Sequence, residues 1–341
     1  MRLSVLDQSP IPEGTTGAEA LANTLDLARL ADSLGYHRYW LAEHHGGGML
    51  AGPSPEALIG PVAAATSRIR VGSGGVMLPH YSPFKVAETF SLLSGLFPGR
   101  IDLGIGRASG TDPMTTFALQ RDRRTASPDD FPEQLAELMA HYDKKFPADH
   151  PFARLGRFLP GAPEQPEIWL LGSSPQSAIW AGQLGIPYAF ADFINPDGAA
   201  AADLYRERFA PSNRLKEPYV AVGVWAICAE TDEEAERLAS SGRMTFTLLR
   251  QGRVIAVPPP EKALRFLAAE GRESGGRRGV IGSPATVRAG LEEVAARYGA
   301  EEVIAVTITW DHGARRRSYE LLAEAFGLAG SDGEPAAAHA G

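Results

Sequence analysis

Tyr39-Trp40-Leu41-Ala42-Glu43-His44-His45-Gly46-Gly47-Gly48 decides how this chain is read. Four apolar residues make the end of a buried strand, a carboxylate and two imidazoles follow without a spacer, and three glycines then loosen the backbone. An α/β enzyme presents titratable side chains in this way at the carboxyl end of its sheet. Taken alone, Glu-His-His is more often a solvated connecting loop, so the weight falls on what the rest of the chain places beside it.

Working outward, strand-like and helix-like segments alternate. Leu3 to Leu6 is a short apolar strand, and Ala18 to Leu34 has helical spacing with Gly35 as its stop. After the histidines come a helix from Pro55 to Ala65 with Ser54 as N-cap, a glycine-interrupted strand from Ile69 to Met77, a helix from Pro83 to Phe97 capped by Ser82, and a strand from Ile101 to Ile105. Further on, strands are expected at Ile168–Leu171, Pro187–Phe190, Tyr219–Ala229 and Val303–Thr309. Helices are expected at Pro132–Tyr142, Pro175–Leu184, Ala199–Arg208, from Thr231 behind a capping-box pattern, at Pro284–Tyr298 and at Arg315–Phe326. About eight repeats of strand and helix predict a (β/α)8 TIM barrel as one domain over residues 1–328, with insertions at about 107–166 and 243–282 and a disordered tail at 329–341. A doubly wound sheet is the alternative, but Asp7-Gln8-Ser9-Pro10 follows the first strand where such a fold usually carries its glycine fingerprint.

The bulk properties fit an enzyme of this kind. The 341 residues are 44% hydrophobic and 22% charged, ordinary for a globular protein. A net charge of −8 argues against a nucleic-acid footprint, and the run Arg315-Arg316-Arg317 reads as a solvated helix start. The single cysteine, Cys228, sits in an apolar run and reads as a buried structural thiol. With no membrane-length apolar segment and no leader pattern, a cytoplasmic protein is expected.

In a barrel the chemistry belongs after the strands. There the sequence places Gln8, then Glu43, His44 and His45, then His80, then Arg107 and Ser109, then Gly172, Ser173, Ser174 and Ser177, then Phe193, and finally Trp310 and His312. Gly172 to Ser177 joins a strand to a helix start, where backbone N–H groups and two hydroxyls four residues apart make a phosphate site, with Arg107 as charge partner. Ser173 or Ser174 is equally well a simple N-cap. Gly72-Ser73-Gly74-Gly75 suits either a flat ring lying on that strand or a bulge. Glu43, His44, His45, His80 and His312 raise the question of zinc, but adjacent histidines on a strand face opposite ways, so no metal is expected.

Tyr39 to His45, Val71 to Pro79 and Gly99 to Arg107, in this order and spacing, resemble the bacterial luciferase-like flavin-dependent monooxygenases, and Leu6-Asp7-Gln8-Ser9-Pro10 is similar to a subgroup associated with natural-product oxidation. The resemblance runs from the first strand to about Phe326. It implies a barrel binding reduced FMN at its strand ends, with His44 catalytic and Glu43 and His45 supporting it. It also implies a non-proline cis peptide at Gly74-Gly75 against the ring, and Arg107, Gly172, Ser173, Ser174 and Ser177 near the FMN phosphate.

The implied activity is two-component monooxygenation, in which a reductase supplies reduced FMN and O2 oxygenates a small organic substrate through a flavin hydroperoxide, by an enzyme acting on paired donors. Leu6, Gln8, Glu43, His45, His80, Phe193 and Trp310 are expected to line the substrate pocket. Homodimers are expected through the helices after the second and third strands. Gly106 stands where light-emitting members carry a cysteine, which points away from light emission, and residues 243–282 are the candidate lid. Hydride transfer with F420, favoured if Arg121, Arg123 and Arg124 line a basic channel, is the first alternative; a non-catalytic flavin holder is the second.

Overall fold

A computed structural model describes residues 1–107, 113–119, 130–271 and 279–328. Ser109, Arg121, Arg123, Arg124 and the 329–341 tail lie outside the described residues. In chain order the elements are β1 (Arg2–Asp7), α1 (Gly17–Leu34), β2 (Arg38–Leu41), α2 (Pro55–Ala64), β3 (Arg70–Met77), α3 (Pro83–Leu96), β4 (Ile101–Gly106), α4 (Pro113–Leu119) and α5 (Phe131–Asp143). They continue with β5 (Glu167–Gly172), α6 (Pro175–Leu184), β6 (Tyr188–Ala191), α7 (Ala199–Glu207), β7 (Val220–Cys228), α8 (Asp232–Arg250), α9 (Pro260–Ala269), β8 (Val280–Gly282), α10 (Pro284–Tyr298), β9 (Glu302–Val306) and α11 (His312–Phe326). All the strand pairings are parallel, and β1 to β7 with β9 close into an eight-stranded barrel, β6 pairing with β7 and β9 with β1; β8 only extends β7 at its outer end. The fold is the (β/α)8 barrel expected from the alternation.

The strands read as nearly unbroken apolar runs because both faces are buried. Alternate residues separate into two cores. Val5, Tyr39, Val71, Leu103, Leu170, Val222 and Ala305 pack outward on the helices. Leu6, Trp40, Trp169, Ala189, Ala221, Trp225 and Ile304 fill the barrel. Below them, at the amino ends of the strands, the interior is ionic. Arg38, 3% exposed, bonds Asp102 at 2.8 Å and Glu302 at 3.1 Å, and lies 4.6 Å from the Trp169 ring centroid. Ser4 donates to Glu302, Arg70 to Asp102, and the Trp40 indole N–H to Asp102 at 2.9 Å.

Several local expectations are corrected. Ser54 and Ser82 stand at the N-cap positions, each before a proline, but neither hydroxyl caps its helix. Thr231 does cap α8, while Glu234 turns to Arg237 instead of completing the box. The helix α8 runs unbroken to Arg250, past the Arg243 at which the irregular insertion was read. Arg315 is not solvated: it is 2% exposed and pairs with Asp7. Cys228 is buried, and that burial pushes its thiol up to about 12. No helix among the described residues is long and apolar enough to cross a membrane.

Candidate active site

The carboxyl ends of the strands carry the polar cluster. Beyond β2 the chain leaves the sheet, so Glu43, His44 and His45 sit on the first residues of a loop and not on a strand. Glu43 is 2% exposed, and its two oxygens are used differently: Oε1 meets His45 Nε2 at 2.8 Å, and Oε2 accepts the Met77 backbone N–H at 2.9 Å. The carboxylate thus ties the histidine loop to the end of β3. Burial raises its pKa despite both bonds. The His80 ring stands edge-on to His45 at 6.0 Å between centroids, and burial, with the nearby His45, lowers its pKa. His44 is half-buried, its backbone N–H held by the Gly52 carbonyl at 3.1 Å. Glu43, His45 and His80 therefore form one connected cluster beside His44. Among the described residues no three metal-ligating side chains converge.

The glycines of β3 have mixed reasons. The Gly74-Gly75 peptide is cis. A Cβ at Gly74 would come within 2.6 Å of Leu6 Cδ1 and 3.0 Å of Trp40 Cβ, so Leu6 and Trp40 lie directly against this part of the strand. A Cβ at Gly72 would lie 2.5 Å from the Asp102 carbonyl, so that glycine answers to strand packing and needs no ring above it.

The next rim is the β5–α6 turn. The register Ile105 with Leu170 puts Arg107 and Gly172 level on adjacent strand ends. Ser174 is exposed at the N-cap position of α6 without a side-chain cap, and Ser173 is fixed by Asn195, whose amide donates to its carbonyl at 3.3 Å. Ser177, in contrast, is 8% exposed and turned inward: its hydroxyl donates to the Ser174 carbonyl at 2.8 Å and lies 3.0 Å from the Tyr188 hydroxyl, whose pKa burial pushes up to about 12. Arg107 is exposed, with its guanidinium 5.8 Å from the Trp180 ring centroid. The turn and the arginine share a rim, and the Ser177 hydroxyl packs under the turn against Gly172 and the Ser174 carbonyl.

The opposite wall is apolar. Phe193 stands edge-on to Trp225 at 6.3 Å, and Trp225 to Phe246 of α8 at 5.0 Å. Trp310 donates its indole N–H to the Glu13 carbonyl at 3.0 Å. Residues 9–13 cross this side as a strap, Ile11 bonding the Met49 carbonyl and accepting from Val257, and Glu13 bonding Val257 in turn. Sequence reading missed Trp225, Phe246 and the strap: the rings meet Phe193 and each other across turns of the fold, and the strap's bonds to Val257 join residues more than 200 positions apart. The only signal was the polar Asp7-Gln8-Ser9 after the first strand.

The luciferase-like monooxygenase family model matches residues 1–302. A luciferase-like monooxygenase of Escherichia coli strain K12 is 43% identical over 323 residues, covering 93% of this chain and 95% of the relative. The N-acetyl-S-alkylcysteine monooxygenase of Bacillus subtilis strain 168 is 40% identical over 331 residues, covering 95% and 98%. The crystal structure of apo-MsnO8 superposes with a TM-score of 0.87 at 43% identity, covering 96% of this chain and 98% of that one. More distant structures share the fold: an oxygenating constituent of 3,6-diketocamphane monooxygenase from Pseudomonas putida in complex with FMN, at 21% identity and TM-score 0.70, and an F420-dependent secondary alcohol dehydrogenase, at 14% and 0.64. With the family model spanning most of the chain and relatives above 40% identity along nearly all of it, the chain belongs to the luciferase-like monooxygenase family.

Proposed function

We propose that the chain is the oxygenating component of a two-component monooxygenase, taking reduced FMN from a separate reductase and using O2 to oxygenate a small organic substrate. One observation carries this reading: the buried Glu43, bonded to His45 beside His44 and to the end of β3, shares the carboxyl ends of the β2–β5 strands with Arg107 and the serine turn. FMN fits the donor set. The first turn of the ten-residue helix α6 offers orphan N–H groups, Ser173 and Ser174 lie on the same rim, and Arg107 supplies a full cation for a phosphate. When bound, the flavin would supply the electrons that activate oxygen.

The chain's own residues do the rest. Leu6 and Trp40 floor the mouth, and the strap with Phe193, Trp225 and Trp310 keeps water from it. His44 holds and releases a proton at its imidazole, while Glu43 orients His45 and tethers the loop to β3. The 40% identical Bacillus relative is named for N-acetyl-S-alkylcysteine, which makes thioethers of that type the first substrates to try here. Pairing of two copies through α2 and α3 is supported by Leu92 and Leu96, 49% and 63% exposed on α3. Diffusive delivery of reduced flavin from a reductase suits a cytoplasmic protein.

Side-by-side fluorescence titration with FMN and F420 tests the cofactor. FMN is expected to bind more tightly, and Arg107→Ala to weaken it by about tenfold, the loss of one charge-assisted contact. Tighter binding of F420 would replace this reading with hydride transfer.

A further inference from the structure

A second carboxyl stands behind Glu43. Glu56, in the first turn of α2, lies close enough to Glu43 for their charges to repel. The Tyr81 hydroxyl, just after the 78–80 turn, stands within hydrogen-bonding reach of both carboxyls. An acid at a helix start is ordinary, because the helix dipole favours it there. A hydroxyl shared between that acid and a buried carboxyl on the histidine loop is not something the helix calls for. Glu43 is already fixed by His45 and the Met77 backbone N–H. Glu56 is half-buried, and its Oε2 is covered and accepts no hydrogen bond.

Glu56 and Tyr81 also line a cavity of about 110 Å3, with Lys85 and Thr89 of α3 as its other polar walls and Val76 of β3 behind them. That volume has room for a few waters. The titratable and charged groups gathered here are Glu43 and His45 from the loop, His80 and Tyr81 from the turn, Glu56 from α2 and Lys85 from α3. Burial raises the pKa of both carboxyls, and His45, near each of them, opposes the rise. Burial, and then the two carboxylates beside it, push the Tyr81 hydroxyl up, so it keeps its proton and donates. Two like charges set against one donor favour a state in which one of them carries a proton.

We propose that Glu56 and Tyr81 are positioning residues for the proton chemistry of the mouth, Tyr81 coupling the Glu56 and Glu43 carboxyls so that one proton is held between them behind His45. The proton count closes. When Glu43 gains the Tyr81 hydroxyl proton, Tyr81 takes the one on Glu56, and the phenol ends as it began. Glu56 recovers its proton from water admitted to the cavity. The inference rests on the monooxygenase reading for what the proton serves, while the coupling is a property of the chain alone.

The test is a pH titration of the full chain without flavin, followed by NMR of labelled glutamate carboxyl carbons, with the Glu43 signal assigned by its loss in Glu43→Gln. Glu56→Gln removes the like charge at constant shape, and the Glu43 midpoint is expected to fall by about half a pH unit or more. Tyr81→Phe removes a donor to the carboxylate, and the midpoint is expected to rise. In the Tyr81→Phe background, Glu56→Gln should move Glu43 by about half as much or less. An unmoved midpoint in Glu56→Gln would mean that the carboxyls are not coupled. The same shift with and without the Tyr81 hydroxyl would mean that only the field through space joins them. Either result would overturn the proposal. Should Glu56→Gln not fold, Tyr81→Phe carries the test alone, and a midpoint that stays in place counts against the coupling. With reduced FMN loaded, the pH dependence of flavin reoxidation in Glu56→Gln should move to lower pH along with the Glu43 midpoint; an unmoved profile would remove the positioning role. Absence of FMN binding would end the monooxygenase reading and leave the titration to decide the coupling, so the two fail separately.

Discussion

The two ends of the barrel treat polar groups in opposite ways. At the amino end, Arg38, Asp102, Glu302 and Ser4 are 3% exposed or less and are bonded to one another, with Arg70, Trp40 and Tyr219 completing the set. At the carboxyl end, polar side chains sit on loops: Glu43 is tied to a half-buried histidine, and Ser174 is exposed at a helix start without capping it. Charge burial alone therefore does not mark function. A buried ionic cluster whose members satisfy one another stabilises and specifies the barrel; polar groups held by rigid elements but aimed at space are the ones available to a ligand.

The sharpest way to break this contrast is at the floor. Arg38→Ala leaves Asp102 and Glu302 buried without their shared cation, and a loss of about 3–5 kcal/mol is expected in urea unfolding. A loss below about 1 kcal/mol would mean that the cluster is hydrated and the distinction between the ends is false. Between the ends, Tyr39→Phe removes one hydrogen bond to the charged Asp7, at a cost of about 1.5–3 kcal/mol. A neutral result would show that Arg315 and the Ser9 backbone N–H already satisfy that carboxylate.

The smallest effect is a slope. Burial, and then the positive charge of Arg38, hold the His37 pKa down to about 4 against an ordinary 6.5. Between those values the unfolded chain binds more protons than the folded one, so stability is full above pH 6.5 and falls as the pH drops toward 4. His37→Asn should flatten the stability–pH curve in that window. An unchanged slope would place the acid sensitivity elsewhere.

The barrel was legible because its strands are apolar on both faces and its helices are punctuated by glycine and proline. The α10 limits Pro284 and Tyr298 were read to the residue, since a proline at the first position and a following left-handed Gly299 bound it. The short β8 went unread because its pairing with β7 depends on a strand some 55 residues away. At the mouth, Glu43, His44, His45 and His80 could be gathered from the positions after the strands. What could not be read was direction. Arg315 sits in a run of three arginines yet is buried, because one helical step turns it toward Asp7 while Arg316 and Arg317 reach surface acids. Ser177 has helical spacing from Ser173, but the Tyr188 hydroxyl, supplied by the next strand, draws it inward.

The central claim is that the carboxyl mouth is built for oxygen chemistry on reduced FMN, with His44 as the proton-handling group. Stopped-flow mixing of the protein loaded with reduced FMN against oxygenated buffer tests it most directly. The account predicts that the wild type reoxidises the flavin in two resolved phases, the second much slower than for free reduced FMN, and that His44→Ala merges or markedly alters them. A single phase at the rate of the free flavin, identical in wild type and His44→Ala, would contradict it.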